Sequence, residues 1–194
     1  MFLSKEILGS LAASFTLLGF FVYFRDCLSK HTKPHAFSWF IWALTGAIAF
    51  AAQRFDQAGP GSWVLIGETT GCIIVFLWAL KFGERGYKAI DWMALALSLV
   101  SLLLWGITKM PTASVILLSL VEFFSFIPTI RKSYLSPHEE TLTTFALSIP
   151  KFSISILALE RYSIATALYP ATLVVLNAIF VGVMVWRRRE VPSV

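Results

Sequence analysis

Apolar stretches of helical span length follow one another along this chain, and the segments between them are too short to hold a domain. They cover 7–24, 37–52, 63–80, 92–108, 113–130, 141–159 and 164–186. A helix needs roughly 17–25 mainly apolar residues to cross the hydrocarbon of a bilayer. The sequence therefore implies an all-α integral membrane protein with seven transmembrane helices. Composition agrees: charged residues make up 14% of the 194, against about 25% in soluble domains. Mean hydropathy is +0.75. The first stretch is followed by Arg25 and Asp26 and by no A-x-A site. It is expected to be a retained helix and not a cleaved signal peptide.

The basic residues are divided unequally between the two sets of connections. One set holds Arg25, Lys30, Lys33, Lys81, Arg85, Lys88, Arg131, Lys132 and Arg187 to Arg189. The other holds Lys5, Arg54, Lys109 and Arg161. Under the positive-inside rule the first set faces the cytoplasm, which puts the N-terminus outside and the C-terminus inside. The net charge of +5 then reports topology, and nucleic acid is not an expected partner. Arg187, Arg188 and Arg189 are expected to anchor the chain, with anionic lipid as a further contact. Trp63, Trp105 and Tyr162 at outer helix ends, with Trp92 and Trp186 at inner ones, form the expected aromatic belt.

The chain repeats itself. GFFVYFRDCLSKHTKPHAFSWFIWAL from Gly19 lies without a gap on EFFSFIPTIRKSYLSPHEETLTTFAL from Glu122, an offset of 122 − 19 = 103. Phe20-Phe21 fall on Phe123-Phe124, Pro34-His35 on Pro137-His138, Ser38 on Thr141 and Trp42 on Phe145. Helices 1 to 3 are thus expected to recur as helices 5 to 7, with helix 4 as linker. The first triple-helix repeat is placed at 1–90, the linker at 91–110 and the second repeat at 111–194. One linker helix restores the original direction, so the repeats are parallel, about an axis along the membrane normal. Substrate sites of repeat transporters lie near the midplane between the repeats.

FFSFIPTIRKSYLSPHEETLTTFAL resembles a PQ-loop, the motif of a superfamily that includes the SWEET (MtN3-like) sugar transporters, lysosomal amino-acid transporters and the KDEL receptor. Pro128 matches the motif proline, and Arg131, Lys132 and Ser133 match its basic loop. The motif glutamine is absent, since Thr129 follows Pro128, and Arg25 stands at the equivalent position in the first repeat. The resemblance implies alternating access, with Pro128 and Pro150 as bending points. It also implies a site residue at Asn177, whose first-repeat equivalent is near the apolar Ile74.

The residues themselves point to the middle of helix 6. Lys151 stands in SIPKFSIS, roughly 15 Å from the helix end at 1.5 Å per residue. A lysine at that depth costs about 2.5–3.5 kcal/mol on insertion scales and turns inward to a partner. Ser148 and Ser155 share its face. Pro150 frees a carbonyl one turn earlier. Glu122, near mid-depth on helix 5 with Ser125 on the same face, is the expected counter-charge, because helices 5 and 6 are consecutive. Glu68 on helix 3 is a second acid, followed by Thr69 and Thr70. Two readings remain open: a structural Glu122–Lys151 ion pair, or two groups lining a central cavity.

Other positions carry less. Ser136-Pro137-His138-Glu139 has the form of a capped helix start, with His138 and its repeat mate His35 as candidate gate or proton-entry residues. Trp42 shares a face with Ser38 and Thr45 and is a candidate for stacking on a ligand. Gly46, Gly67 and Gly71 are expected to permit close helix packing. Cys27 and Cys72 form neither a CxxC nor a Cys/His cluster, so no disulfide or zinc site is expected. Neither a cofactor motif nor a catalytic one is present.

The expected function is transport of a small polar or anionic metabolite by alternating access, with proton coupling through Glu122. The alternative is a KDEL-receptor-like module that captures a carboxylate on Lys151. The short connections suggest a bacterial inner membrane, and a homo-oligomer is compatible with the sequence.

Overall fold

The structure is a computed structural model that describes residues 4–108 and 111–191. Its described residues form seven α-helices and no strand: α1 (Lys5–Leu28), α2 (Ala36–Phe55), α3 (Trp63–Phe82), α4 (Ala89–Thr108), α5 (Pro111–Leu135), α6 (Leu142–Leu157) and α7 (Ile164–Glu190). A 3₁₀ turn at Gly59–Ser62 leads into α3. Lys109 and the side chain of Trp105, both used in the topology reading, lie outside what is described.

Among the described residues, four helical segments are long and apolar enough to cross a membrane: Lys5–Leu28, Ala36–Phe55, Gly59–Phe82 and Ile164–Glu190. α6 is apolar but has 16 residues. The outward faces are apolar too. Leu17, Phe21 and Leu103 are each more than two-thirds exposed, as is Ile107. An apolar surface this extensive suits lipid and not water.

Local chemistry sets several helix ends. Ser4 caps α1 by accepting from the Ile7 N–H. Ser163 and Thr166 close a reciprocal capping box at the start of α7. The expected helix start at Ser136 does not form: Ser136 to Glu140 make a turn, and α6 begins at Leu142. Glu139 instead pairs with Lys33 across the loops, at 2.5 Å. The Pro137 carbonyl accepts from Arg188. Prolines stand inside α5 (Pro128), α6 (Pro150) and α7 (Pro170).

α3 packs against both α1 and α2, whose backbones stay apart and which meet through side chains, Tyr23 on Trp39 at 4.6 Å between ring centres. α7 stands in the same way between α5 and α6. The two groups join by α1 on α6 and α2 on α5, while α4 lies outside against α5. The expectation that consecutive α5 and α6 are neighbours is therefore overturned, because α7 fills the place between them. Exchanging α1, α2 and α3 with α5, α6 and α7 leaves this neighbour scheme unchanged.

Close approach depends on missing side chains at several glycines, two of which seat α1. A Cβ on Gly9 would come 2.6 Å from the Pro60 carbonyl oxygen, which seats α1 on the 3₁₀ turn. A Cβ on Gly71 would meet the Phe20 ring at 2.4 Å, which brings α1 against α3. The core between the groups is aromatic: Trp42 lies 5.0 Å from Phe126, and Phe145 lies 4.4 Å from Phe180, ring centre to ring centre.

Candidate functional site

Polar residues recur along α2 and α5 at spacings of three and four, which puts them on one stripe of each helix. Ser38, Trp42 and Thr45 face Glu122, Ser125 and Thr129. All except Trp42 are at most 1% exposed. The Ser38 hydroxyl donates to the Ser125 carbonyl at 2.8 Å and accepts from Thr129 at 3.0 Å. The Trp42 indole N–H donates to the Ser125 hydroxyl at 2.7 Å.

The stripe ends at Glu122, which is fully buried. One carboxylate oxygen, Oε1, accepts from the Tyr169 hydroxyl at 2.8 Å and from the Thr45 hydroxyl. The other, Oε2, is buried with no hydrogen-bond partner. No cationic side chain pairs with Glu122 among the described residues.

Lys151 has a different partner from the expected one. Its Nζ donates to Glu68 Oε2 at 2.5 Å, joining α6 to α3. It lies 4.5 Å from the Phe152 ring centre and 6.0 Å from that of Phe20. The expected Glu122–Lys151 pair fails for a topological reason. With α7 between α5 and α6, Glu122 meets Tyr169, and Lys151 turns toward α3.

Glu122, Lys151, Glu68 and Trp42 line one narrow cleft between the two sets of helices, with a cavity volume of about 30 Å³. Among the described residues, its walls come from α1, α2, α3, α5, α6 and α7, and none from α4. Of the expected binding residues, Lys151, Glu122, Asn177, Ser148, Trp42 and Glu68 all line it. Asn177 donates to the Leu173 carbonyl at 2.7 Å and Ser148 to that of Thr144 at 3.1 Å. Ser155 does not reach the cleft. It bonds the Phe152 carbonyl, and its own carbonyl lies near Gly61 of the 3₁₀ turn. Sequence reasoning missed Tyr169, Thr45 and Thr144. Tyr169 directly before Pro170, in an otherwise apolar helix, was the available signal for the first.

The candidate gate residues lie away from the cleft. His138 sits at the surface with Nε2 2.7 Å from the Val191 carbonyl oxygen. His35 is fully buried with neither ring nitrogen hydrogen-bonded. It stands 3.6 Å from Asp91 and edge-on to Phe37 and Tyr87. Burial pushes its imidazole down to about 4, against the pull of Asp91 and with the help of Arg131. Arg131 ties Asp91 to Glu84 at 3.0 and 3.3 Å. Lys132 and Glu140 form a buried pair at 2.8 Å. Pro128 and Pro150 lie within their helices and outside the cleft wall.

Both ends of the helix assembly are tied. At the end carrying His35, Thr32 and Thr141 share a hydrogen bond at 2.6 Å, and Thr141 donates to Asp26 at 3.0 Å. At the other end Asp56 pairs with Arg161 at 3.2 Å. There Lys5 donates to the Leu157 and Leu159 carbonyls at 3.0 and 2.6 Å.

Comparison with family models, with curated proteins and with solved structures returns no match.

Proposed function

We propose that this chain is a membrane carrier for a small polar metabolite, working by alternating access in a PQ-loop or SWEET-like frame. In this reading all seven helices span the bilayer as 3+1+3 parallel repeats, with the N-terminus outside and the C-terminus in the cytoplasm of a bacterial inner membrane. The observation that carries it is the cleft itself. Six helices, three from each proposed repeat, converge on one pocket that holds Glu68, Glu122 and Lys151, while no described residue of the linker α4 lines it. Charged groups at that depth are costly, and a cavity that handles a polar solute gives them a use. The neighbour scheme, unchanged on exchange of the two triplets, supports the repeat. The ties at both ends support a solute site shielded from each side.

The test is thermal stabilisation of the purified protein by a panel of metabolites, with Lys151→Ala as comparison, followed by counterflow in vesicles. A compound that stabilises wild type and exchanges across the vesicle membrane supports the carrier, and its effect on Lys151→Ala shows whether that side chain takes part. A ligand that binds but never exchanges overturns it in favour of a receptor.

A further inference from the structure

The charged groups in the cleft are unequal in number: two carboxylates, Glu68 and Glu122, face one ammonium, Lys151. Lys151 and Glu68 already satisfy each other at 2.5 Å, so neither calls for a charged ligand. Glu122 does. Its Oε1 is saturated by two hydroxyl donors, and its Oε2 has no donor among the described residues. A buried acceptor without a donor is costly, and a carboxylate more so. The surrounding wall is aromatic, with Trp42, Phe126 and Tyr169 around the acid. Aromatic faces attract cations and repel anions. The other groups near Glu122 add no positive charge: Thr45 and Trp42 on α2, Ser125 on α5 and Tyr169 on α7.

We propose that the cleft binds a protonated amine, whose N–H donates to Glu122 Oε2 while its carbon stem lies among the rings of Trp42, Phe126 and Tyr169. This rests on the carrier reading for its physiological meaning but not for its chemistry. It replaces the expectation of an anion held on Lys151, because that lysine already has its carboxylate.

The experiment is thermal stabilisation of the purified protein in detergent at neutral pH. The probes are butylamine and benzylamine as hydrochlorides. They are set against 1-butanol and benzyl alcohol at equal concentration, with sodium chloride matching the ionic strength. Both amines are expected to raise the Tm of wild type, and neither the alcohols nor sodium to do so. In Glu122→Gln, which keeps the size and hydrogen-bonding capacity of the side chain, the amines should bind roughly ten- to hundredfold more weakly, the range for a hydrogen bond to a charged group. Equal shifts by amine and alcohol, equal shifts by sodium, no shift by either amine, or full retention in Glu122→Gln would overturn the proposal. If Glu122→Gln cannot be purified, Tyr169→Phe keeps the carboxylate and must keep the preference for amine over alcohol. Amines that bind but do not exchange across vesicles leave this inference standing and sink the carrier. A neutral solute that exchanges in a Glu122→Gln protein insensitive to amines does the reverse.

Discussion

Lys151 and Glu68 satisfy each other inside the cleft, and that pairing determines what each single substitution leaves behind. Lys151→Ala strands a carboxylate that is 17% exposed, and Glu68→Gln strands an ammonium that is 4% exposed. Breaking a buried pair costs several kcal/mol, whereas replacing both members by apolar groups is often close to neutral. Each single variant should therefore lose roughly 3–5 kcal/mol, seen as a lower Tm. The double variant Lys151→Met/Glu68→Leu should recover most of it. A double that falls by the sum of the singles would show that the two do not act as a pair. His35 gives a second prediction. Its ordinary value is 6.5 and burial lowers it to about 4 in the fold. Between those values the unfolded chain takes up a proton that the folded one does not. Stability should therefore fall as pH drops through this window, then level off. His35→Phe, which suits the Phe37 and Tyr87 rings, should flatten the dependence of Tm on pH, and an unchanged slope would exclude His35 as its source.

At the scale of helices, the offset of 103 between the two similar segments bears on which residues meet. Ser38 lies 103 positions before Thr141, and Asp26 the same distance before Thr129. The structure contains both contacts that this register implies: Thr129 to Ser38 across α5 and α2, and Thr141 to Asp26 across α6 and α1, each at 3.0 Å. The two contacts are related to each other by the offset of 103. The chain did not display which helices touch, because sequence neighbours were taken for spatial ones. That single assumption misassigned the partner of Lys151. It also hid Tyr169, which meets Glu122 only because α7 stands between α5 and α6. The inward direction of Lys151, Glu122 and Asn177, all buried, was legible from the cost of polar groups in lipid, which needs no topology. The Gly71 contact extends to the cleft, since the Phe20 ring it admits forms part of the wall. Gly71→Val should push that ring aside and part α1 from α3. Membrane insertion should survive while stabilisation by ligands of the cleft is lost. Undiminished ligand stabilisation in Gly71→Val would show that the α1–α3 approach does not shape the site.

For the whole molecule, alternating access requires that the two ends release in turn, and here both are tied. The end joining the α1–α2 and α5–α6 connections combines an exposed pair, Lys33–Glu139, with the buried Thr32, Thr141 and Asp26 contacts. The exposed pair contributes little by itself, since surface ion pairs are worth about 0–1 kcal/mol. The buried hydroxyl contact is the better place to hold the end shut. The Thr32 and Thr141 oxygens lie 2.6 Å apart, and replacing both residues by cysteine brings two sulfurs within reach of a disulfide, whose Cβ atoms stand about 3.5–4.5 Å apart. Cys27 and Cys72 are free and buried and can be replaced by alanine to leave the new pair alone. Oxidised Thr32→Cys/Thr141→Cys protein should still be stabilised by the amine probes, because the cleft is intact. Its counterflow of the same labelled amine should stop, and a reductant should restore it. Loss of both binding and counterflow would mean that the crosslink distorts the cleft. A verified disulfide that leaves counterflow unchanged would mean that this end does not open during transport, and the path for the solute would then have to be sought elsewhere between the helices.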